Sequence, residues 1–121
     1  GQETAATLMR YLKRLPSVRV NFDPANMLLY NMGDPLEAFA MLAPHIAQVH
    51  LKDALAPTTP GVWGTEVPVG SGEIDWPRFI TLALDRYPDV ALMIEREAGD
   101  ERRADISTAI KHITPLLEMT S

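Results

Sequence analysis

Two carboxylates and an imidazole, each set where an apolar-alternating segment ends, are the residues of this chain best suited to chemistry. They are Asp23 after Val18-Arg19-Val20-Asn21-Phe22, His50 within Ile46-Ala47-Gln48-Val49-His50-Leu51-Lys52-Asp53, and Glu95 after Val90-Ala91-Leu92-Met93-Ile94. In a strand, residues two apart share a face. Val18, Val20 and Phe22 then point one way, and Arg19, Asn21 and Asp23 the other. Val49 and Leu51 oppose Gln48, His50 and Lys52, and Leu92 and Ile94 oppose Met93 and Glu95. The three ligand-type residues can thus converge above one sheet at the carboxyl ends of its strands, where parallel α/β folds bind their ligands. Two carboxylates and an imidazole suit a divalent ion such as Mn²⁺, Mg²⁺ or Co²⁺, and do not exclude Zn²⁺.

Each residue alone has a plainer reading. Asp23 before Pro24 is a turn residue, His50 a satisfied core histidine, and Glu95 and Glu97 around Arg96 a solvated charge cluster. The shared face is what favours a site.

The elements that position these residues follow from helical spacing and from Pro and Asp punctuation. Residues 2–14 read as a helix with Leu8, Leu12 and Leu15 inward, ended by Pro16. After the first strand, Pro24 to Gly33 reads as irregular, with Met27 to Tyr30 as a packing plug or subunit contact. Asp34-Pro35 is an N-cap with Pro at the first helical position, opening a helix to Leu42 with Leu36, Phe39 and Leu42 inward. Pro44 stops it before the second strand. Residues 54–72, rich in Pro, Gly and Thr and containing Trp63, read as a long functional or mobile loop. Asp75-Trp76-Pro77 starts a helix carrying Ile80 and Leu84, and the third strand follows Pro88. Asp100 is expected to cap a last helix with Ile106, Ile110, Ile113 and Leu117 as its apolar stripe, kinked or frayed at Pro115.

The resulting order, α-βα-βα-βα, implies an α/β fold with a parallel sheet. Three strands cannot close a barrel, and their sheet would leave two open edges and an uncovered inner face. Residues 1–121 are therefore expected to be a single partial domain of a larger protein, or a half completed by a second copy through its exposed edges. Gly1, in place of an initiator Met, is read as a tag remnant or a cleavage or truncation point.

Net charge is −5, with 11 Lys and Arg scattered along the chain, so nothing favours a nucleic acid backbone. The absence of cysteine rules out disulfides and thiolate metal sites. No apolar run has membrane-spanning length, and the N-terminus lacks a signal-peptide pattern. The expected location is the cytoplasm, without membrane partners.

Four segments carry a resemblance. Val20-Asn21-Phe22-Asp23-Pro24-Ala25-Asn26 resembles the sixth-strand motif of the sugar phosphate isomerase/epimerase family, within the xylose-isomerase-like TIM-barrel superfamily. Val49-His50-Leu51-Lys52-Asp53-Ala54 is similar to the seventh-strand motif, and Val67 to Asp75 to the glycine turn that follows it. Ile94-Glu95-Arg96-Glu97-Ala98-Gly99 is similar to the eighth-strand motif. The resemblance implies parallel βα units forming the C-terminal half of a TIM barrel, strands 6 to 8 with their flanking helices. It implies a divalent metal, with Mn²⁺ first, held by Asp23, His50 and Glu95, with Glu95 also as the acid/base.

The family's fourth ligand and partner base is a Glu just before a Gly-Gln-Glu segment. Gly1-Gln2-Glu3 opens this chain, so that Glu is expected upstream, with Glu3 as the nearest substitute. Asn26 stands where ketose epimerases and endonuclease IV usually carry His, and Gly64 and Glu66 stand where endonuclease IV carries Asp and His. A three-metal phosphodiesterase site is thus not expected.

The implied reaction is isomerisation or epimerisation of a sugar or sugar phosphate through an enediolate, with Asn26 and Lys52 touching substrate. Lys52 and Asp53 are read as orienting His50 or touching a substrate phosphate or hydroxyl, or equally as a surface ion pair. Gly70-Ser71-Gly72 is read as backbone geometry rather than a phosphate loop, and Trp63 as either a sugar-pocket wall or a loop anchor. Two other readings stand beside this one: a non-catalytic half-barrel binding module, and a metal-dependent hydrolase or lyase on the same scaffold.

Overall fold

The alternating apolar residues of the three strand segments do form one sheet. A computed structural model describes residues 2–120; Gly1, read above as a cleavage or truncation point, lies outside the described residues. Strands β1 (Val20–Phe22), β2 (Ile46–Leu51) and β5 (Ala91–Ile94) pair in the order β1-β2-β5, all parallel. The register aligns Phe22 with Val49 and Val49 with Leu92, so one face is apolar across the whole sheet. Against it pack α1 (Ala5–Arg14), α2 (Pro24–Leu29), α3 (Pro35–Leu42), α4 (Trp76–Arg86) and α5 (Arg102–Thr120). Phe22, Phe39, Phe79 and Trp76 form a chain of ring contacts with centroids 5.3–6.1 Å apart. Such edge-on and offset pairs favour one packing arrangement over a merely greasy interior.

The opposite face is open. Asn21 and Ala91 are exposed, and Met93 keeps 48 % of its surface in solvent. The expected uncovered inner face and unpaired edges, β1 and β5, are both present among the described residues.

Several helix limits match their punctuation. Thr4 caps α1, Asp34 caps α3 and Asp75 caps α4, each side chain accepting a backbone N–H three residues on. The same signal at Asp23-Pro24 starts α2, so the stretch after β1 is helical rather than irregular. Its Met27 is buried in the core.

Other differences have local causes. Helix α1 begins at Ala5 rather than at residue 2, and Leu15 falls beyond its end, 52 % exposed. Asp100 does not cap α5, which begins two residues later at Arg102. Ile106 and Ile110 face outward at 37 % and 49 % exposure, while Ala109 and Ile113 take the buried positions. The helix continues through Pro115 to Thr120.

The largest difference is in residues 54–72. A hairpin of β3 (Asp53–Leu55) and β4 (Thr65–Val67) occupies much of this stretch, antiparallel, with Asp53 opposite Val67 and Leu55 opposite Thr65. Trp63 lies beyond the paired part, 65 % exposed, its ring edge-on to Tyr30 at 5.0 Å. No helix among the described residues is long and apolar enough to cross a membrane.

Candidate metal centre

Asp23, His50 and Glu95 meet at the carboxyl ends of β1, β2 and β5, because each strand stops where its polar face turns up to the same side. One carboxylate oxygen of Asp23, one of Glu95 and a ring nitrogen of His50 lie within 4.8 Å of one another. His50 Nδ1 is 3.0 Å from Glu95 Oε2 and 3.8 Å from Asp23 Oδ2. They face a cavity of about 320 Å³, which Glu97, Asn26 and Glu3 also line.

Asp23 divides its two oxygens between structure and site. Oδ1 accepts the Asn26 backbone N–H at 3.1 Å and caps α2. Oδ2 is buried, and no described donor completes a hydrogen bond to it. Lys52 Nζ stands 3.1 Å away as its ion-pair partner, so the group that counters this oxygen is an ammonium rather than a neutral N–H donor. Burial raises the Asp23 pKa above its ordinary 3.8, against the pull of the Lys52 charge. With one oxygen on the helix cap and the other held by an ammonium, Asp23 presents Oδ2 on the side of His50 and Glu95.

Lys52 sits beneath the cluster with only 2 % of its surface exposed. Its ammonium is 2.6 Å from Glu97 Oε1, 3.1 Å from Asp23 Oδ2 and 3.4 Å from Glu95 Oε2. Burial disfavours its charge, but the Glu97 hydrogen bond and the Asp23 and Glu95 charges outweigh it and raise the pKa above the ordinary lysine value. The same hydrogen bond lowers the pKa of Glu97.

The Asn21 side-chain amide nitrogen is 3.0 Å from His50 Nε2. The amide can serve either ring tautomer, offering its nitrogen or its oxygen. A cation held at Nδ1 requires the ring proton on Nε2, with the Asn21 amide oxygen as its acceptor. The alternation pattern had put Asn21 on the face of Asp23; nothing in the sequence distinguished it from any polar strand residue.

Asp53 is neither a surface ion-pair partner of Lys52 nor a substrate contact. It is fully buried, and its carboxylate accepts from five donors: the backbone N–H groups of Ala54, Gly70, Gly72 and Ile74, and the Trp76 indole. The glycine turn thus spends its N–H groups on Asp53 rather than on a phosphate. A Cβ at Gly72 would collide with Asp53 Oδ1 and the Ala54 carbonyl oxygen, so any side chain there displaces the turn or the carboxylate.

A fold of parallel βα units with a carboxylate–imidazole cluster at its strand ends defines the class. Residues 1–116 match the xylose isomerase-like TIM barrel, and the chain belongs to that family. It superposes on a xylose isomerase domain protein from Planctomyces limnophilus with a TM-score of 0.93 and 32 % identity, over 99 % of this chain and 45 % of that one. A xylose isomerase-like TIM barrel protein from Mycobacterium smegmatis, in complex with magnesium, gives 0.77 at 18 % identity over 98 % and 41 %. Mannonate dehydratase from Streptococcus suis serotype 2 gives 0.77 at 18 % over 97 % and 37 %. The chain spans less than half the length of each of these relatives.

Proposed function

We propose that the whole protein is a metal-dependent sugar or sugar phosphate isomerase or epimerase, to which this chain contributes strands 6 to 8 of the barrel. The observation that carries the reading is the convergence of Asp23, His50 and Glu95, with one ligand atom of each within 4.8 Å of the others, on one cavity. Asp23, His50 and Glu95 would hold the ion, with Mn²⁺ as the first choice. When bound, it supplies Lewis-acid polarisation of the sugar's carbonyl and hydroxyl oxygens.

Glu95 is the base. Its carboxylate takes the proton from the carbon beside the carbonyl, the C–H electrons become the C=C bond of the enediolate, and the proton returns to the other carbon or the other face. Return from the opposite side needs a second carboxylate, supplied by the family's Glu before Gly1-Gln2-Glu3, with Glu3 on the cavity wall nearby. Asn26, also on that wall, contacts a sugar hydroxyl. Lys52 reaches the substrate only through its carboxylate partners, whose negative charge it keeps within one cavity.

The test is incubation of the intact protein with Mn²⁺ and a panel of ketoses, aldoses and their phosphates in D₂O. Deuterium should enter the substrate beside its carbonyl, and Glu95→Gln should stop that while leaving the fold intact. Metal binding without exchange on any sugar would defeat the isomerase reading. Loss of water from a sugar acid would then favour a lyase on the same scaffold. Absence of metal binding would favour the non-catalytic binding module.

A further inference from the structure

Glu95 follows the last residue of β5, its own N–H donating to Leu51 O at 3.1 Å, and the course of its side chain is further set by what holds the residues after it. Those residues, 96–98, are in no helix or strand. Their anchor is Glu66, on β4 of the hairpin, 8 % of whose side chain is exposed. Glu66 Oε2 accepts from the Glu97 backbone N–H at 3.1 Å, and both its oxygens lie within 3.4 Å of the Ala98 N–H. Oε2 also accepts from Arg96 at 2.6 Å, and the same guanidinium donates through Nε to Asp105 of α5 at 2.8 Å.

The hairpin is held in turn at two other places. The Gly64 N–H donates to Leu29 O at the end of the helix that Asp23 caps, and Asp53 opposite Val67 belongs to the strand run that carries His50. One short hairpin therefore touches the segment behind each of the three ligand-type residues.

We propose that Glu66 is a positioning residue for this centre. Its carboxylate fixes the backbone of residues 96–98, and thereby holds the Glu95 carboxylate toward Asp23 and His50 and the Glu97 carboxylate on Lys52. The inference rests on the metal-site reading of Asp23, His50 and Glu95. The opposing account is that Glu66 serves stability alone, as one arm of an Arg96 bridge between the hairpin and α5. The two arms of that bridge separate the accounts, because Asp105 touches Arg96 but not the backbone of residues 97 and 98.

The experiment measures Mn²⁺ binding and thermal unfolding of the intact protein and its Glu66→Ala, Glu66→Gln and Asp105→Asn variants. Supporting groups of this kind change metal affinity about 10- to 100-fold. Glu66→Ala is expected to weaken Mn²⁺ about tenfold. Glu66→Gln, which keeps the shape and one acceptor, should lose about threefold and remain folded if the Ala variant does not. Asp105→Asn should lower the melting temperature with Mn²⁺ affinity unchanged. Folded Glu66 variants with parental affinity, or an equal loss of affinity in Asp105→Asn, would overturn the proposal. A parent protein that binds no Mn²⁺ would overturn the metal reading itself, and the positioning role with it.

Discussion

Asp23, just after the parallel strand β1, and Asp53, which opens the antiparallel hairpin, are both aspartates withdrawn from water, and their surroundings are opposite. Asp53 has five N–H donors on its two oxygens. Asp23 has one, the Asn26 N–H on Oδ1, while Oδ2 faces a lysine, a histidine and a second carboxylate without a hydrogen bond. A saturated carboxylate has no capacity left for a ligand and stabilises the fold. An under-coordinated one costs stability and keeps its lone pairs for something else. Burial alone does not distinguish a structural acid from a functional one; the donor count does.

The sharpest way to break this comparison is to empty Asp53. Asp53→Ala strands five buried or part-buried donors at once, and each unsatisfied group costs about 1–3 kcal/mol. A loss of at least about 4 kcal/mol is expected, enough to unfold many proteins, read from the urea midpoint. An Asp53→Ala protein of near-parental stability would contradict the structural assignment.

Asp23→Asn should behave in the reverse way. Asn remains an N-cap, so the melting temperature should stay within a few degrees, while Mn²⁺ affinity measured by calorimetry drops at least about 100-fold. If instead stability collapses and affinity holds, the two aspartates have the same role and the contrast fails.

Gly72→Ala refines the Asp53 side. A Cβ only 2.1 Å from Oδ1 forces the turn or the carboxylate to move, at about 1–3 kcal/mol, with Mn²⁺ affinity unchanged.

The smallest effect concerns pH. Burial holds the Asp23 pKa above 3.8. Between the unfolded value and the raised folded one, the native protein therefore binds more protons than the unfolded chain, so stability falls as pH rises through that window. Urea midpoints of the metal-free protein should show that slope, and Asp23→Asn should lack it. Mn²⁺ binding should weaken as acid protonates the same oxygen.

These contrasts also mark what could be read from the chain. The parallel sheet and the convergence of Asp23, His50 and Glu95 follow from two-residue alternation, a local signal. Helix α3 follows from Asp34-Pro35 and Pro44, again local, and α2 carried the same Asp-Pro signal at Asp23, where it was read as a turn. The hairpin was not legible, because its pairing of Leu55 with Thr65 spans a Pro- and Gly-containing stretch with no alternation. Nor were the roles of Asp53, Glu66 and Asn21. A carboxylate that collects N–H groups from residues 54 to 76 leaves no periodic trace. Lys52 was flagged as a surface or substrate residue, yet it is buried because three carboxylates from distant segments surround it. Of the apolar stripe expected on α5, Ile113 and Leu117 pack on the core, while Ile106 and Ile110 face outward and Ala109 takes the buried position.

The sharing of one carboxylate by Ala54, Gly70, Gly72, Ile74 and Trp76 has a dynamic consequence. None of these N–H groups can reach water without disturbing the acceptor that the others use. The amides of Ala54, Gly70, Gly72 and Ile74 are therefore expected to exchange their hydrogens through one concerted opening rather than by fraying in sequence. The turn, irregular in shape, is then a single cooperative unit in time.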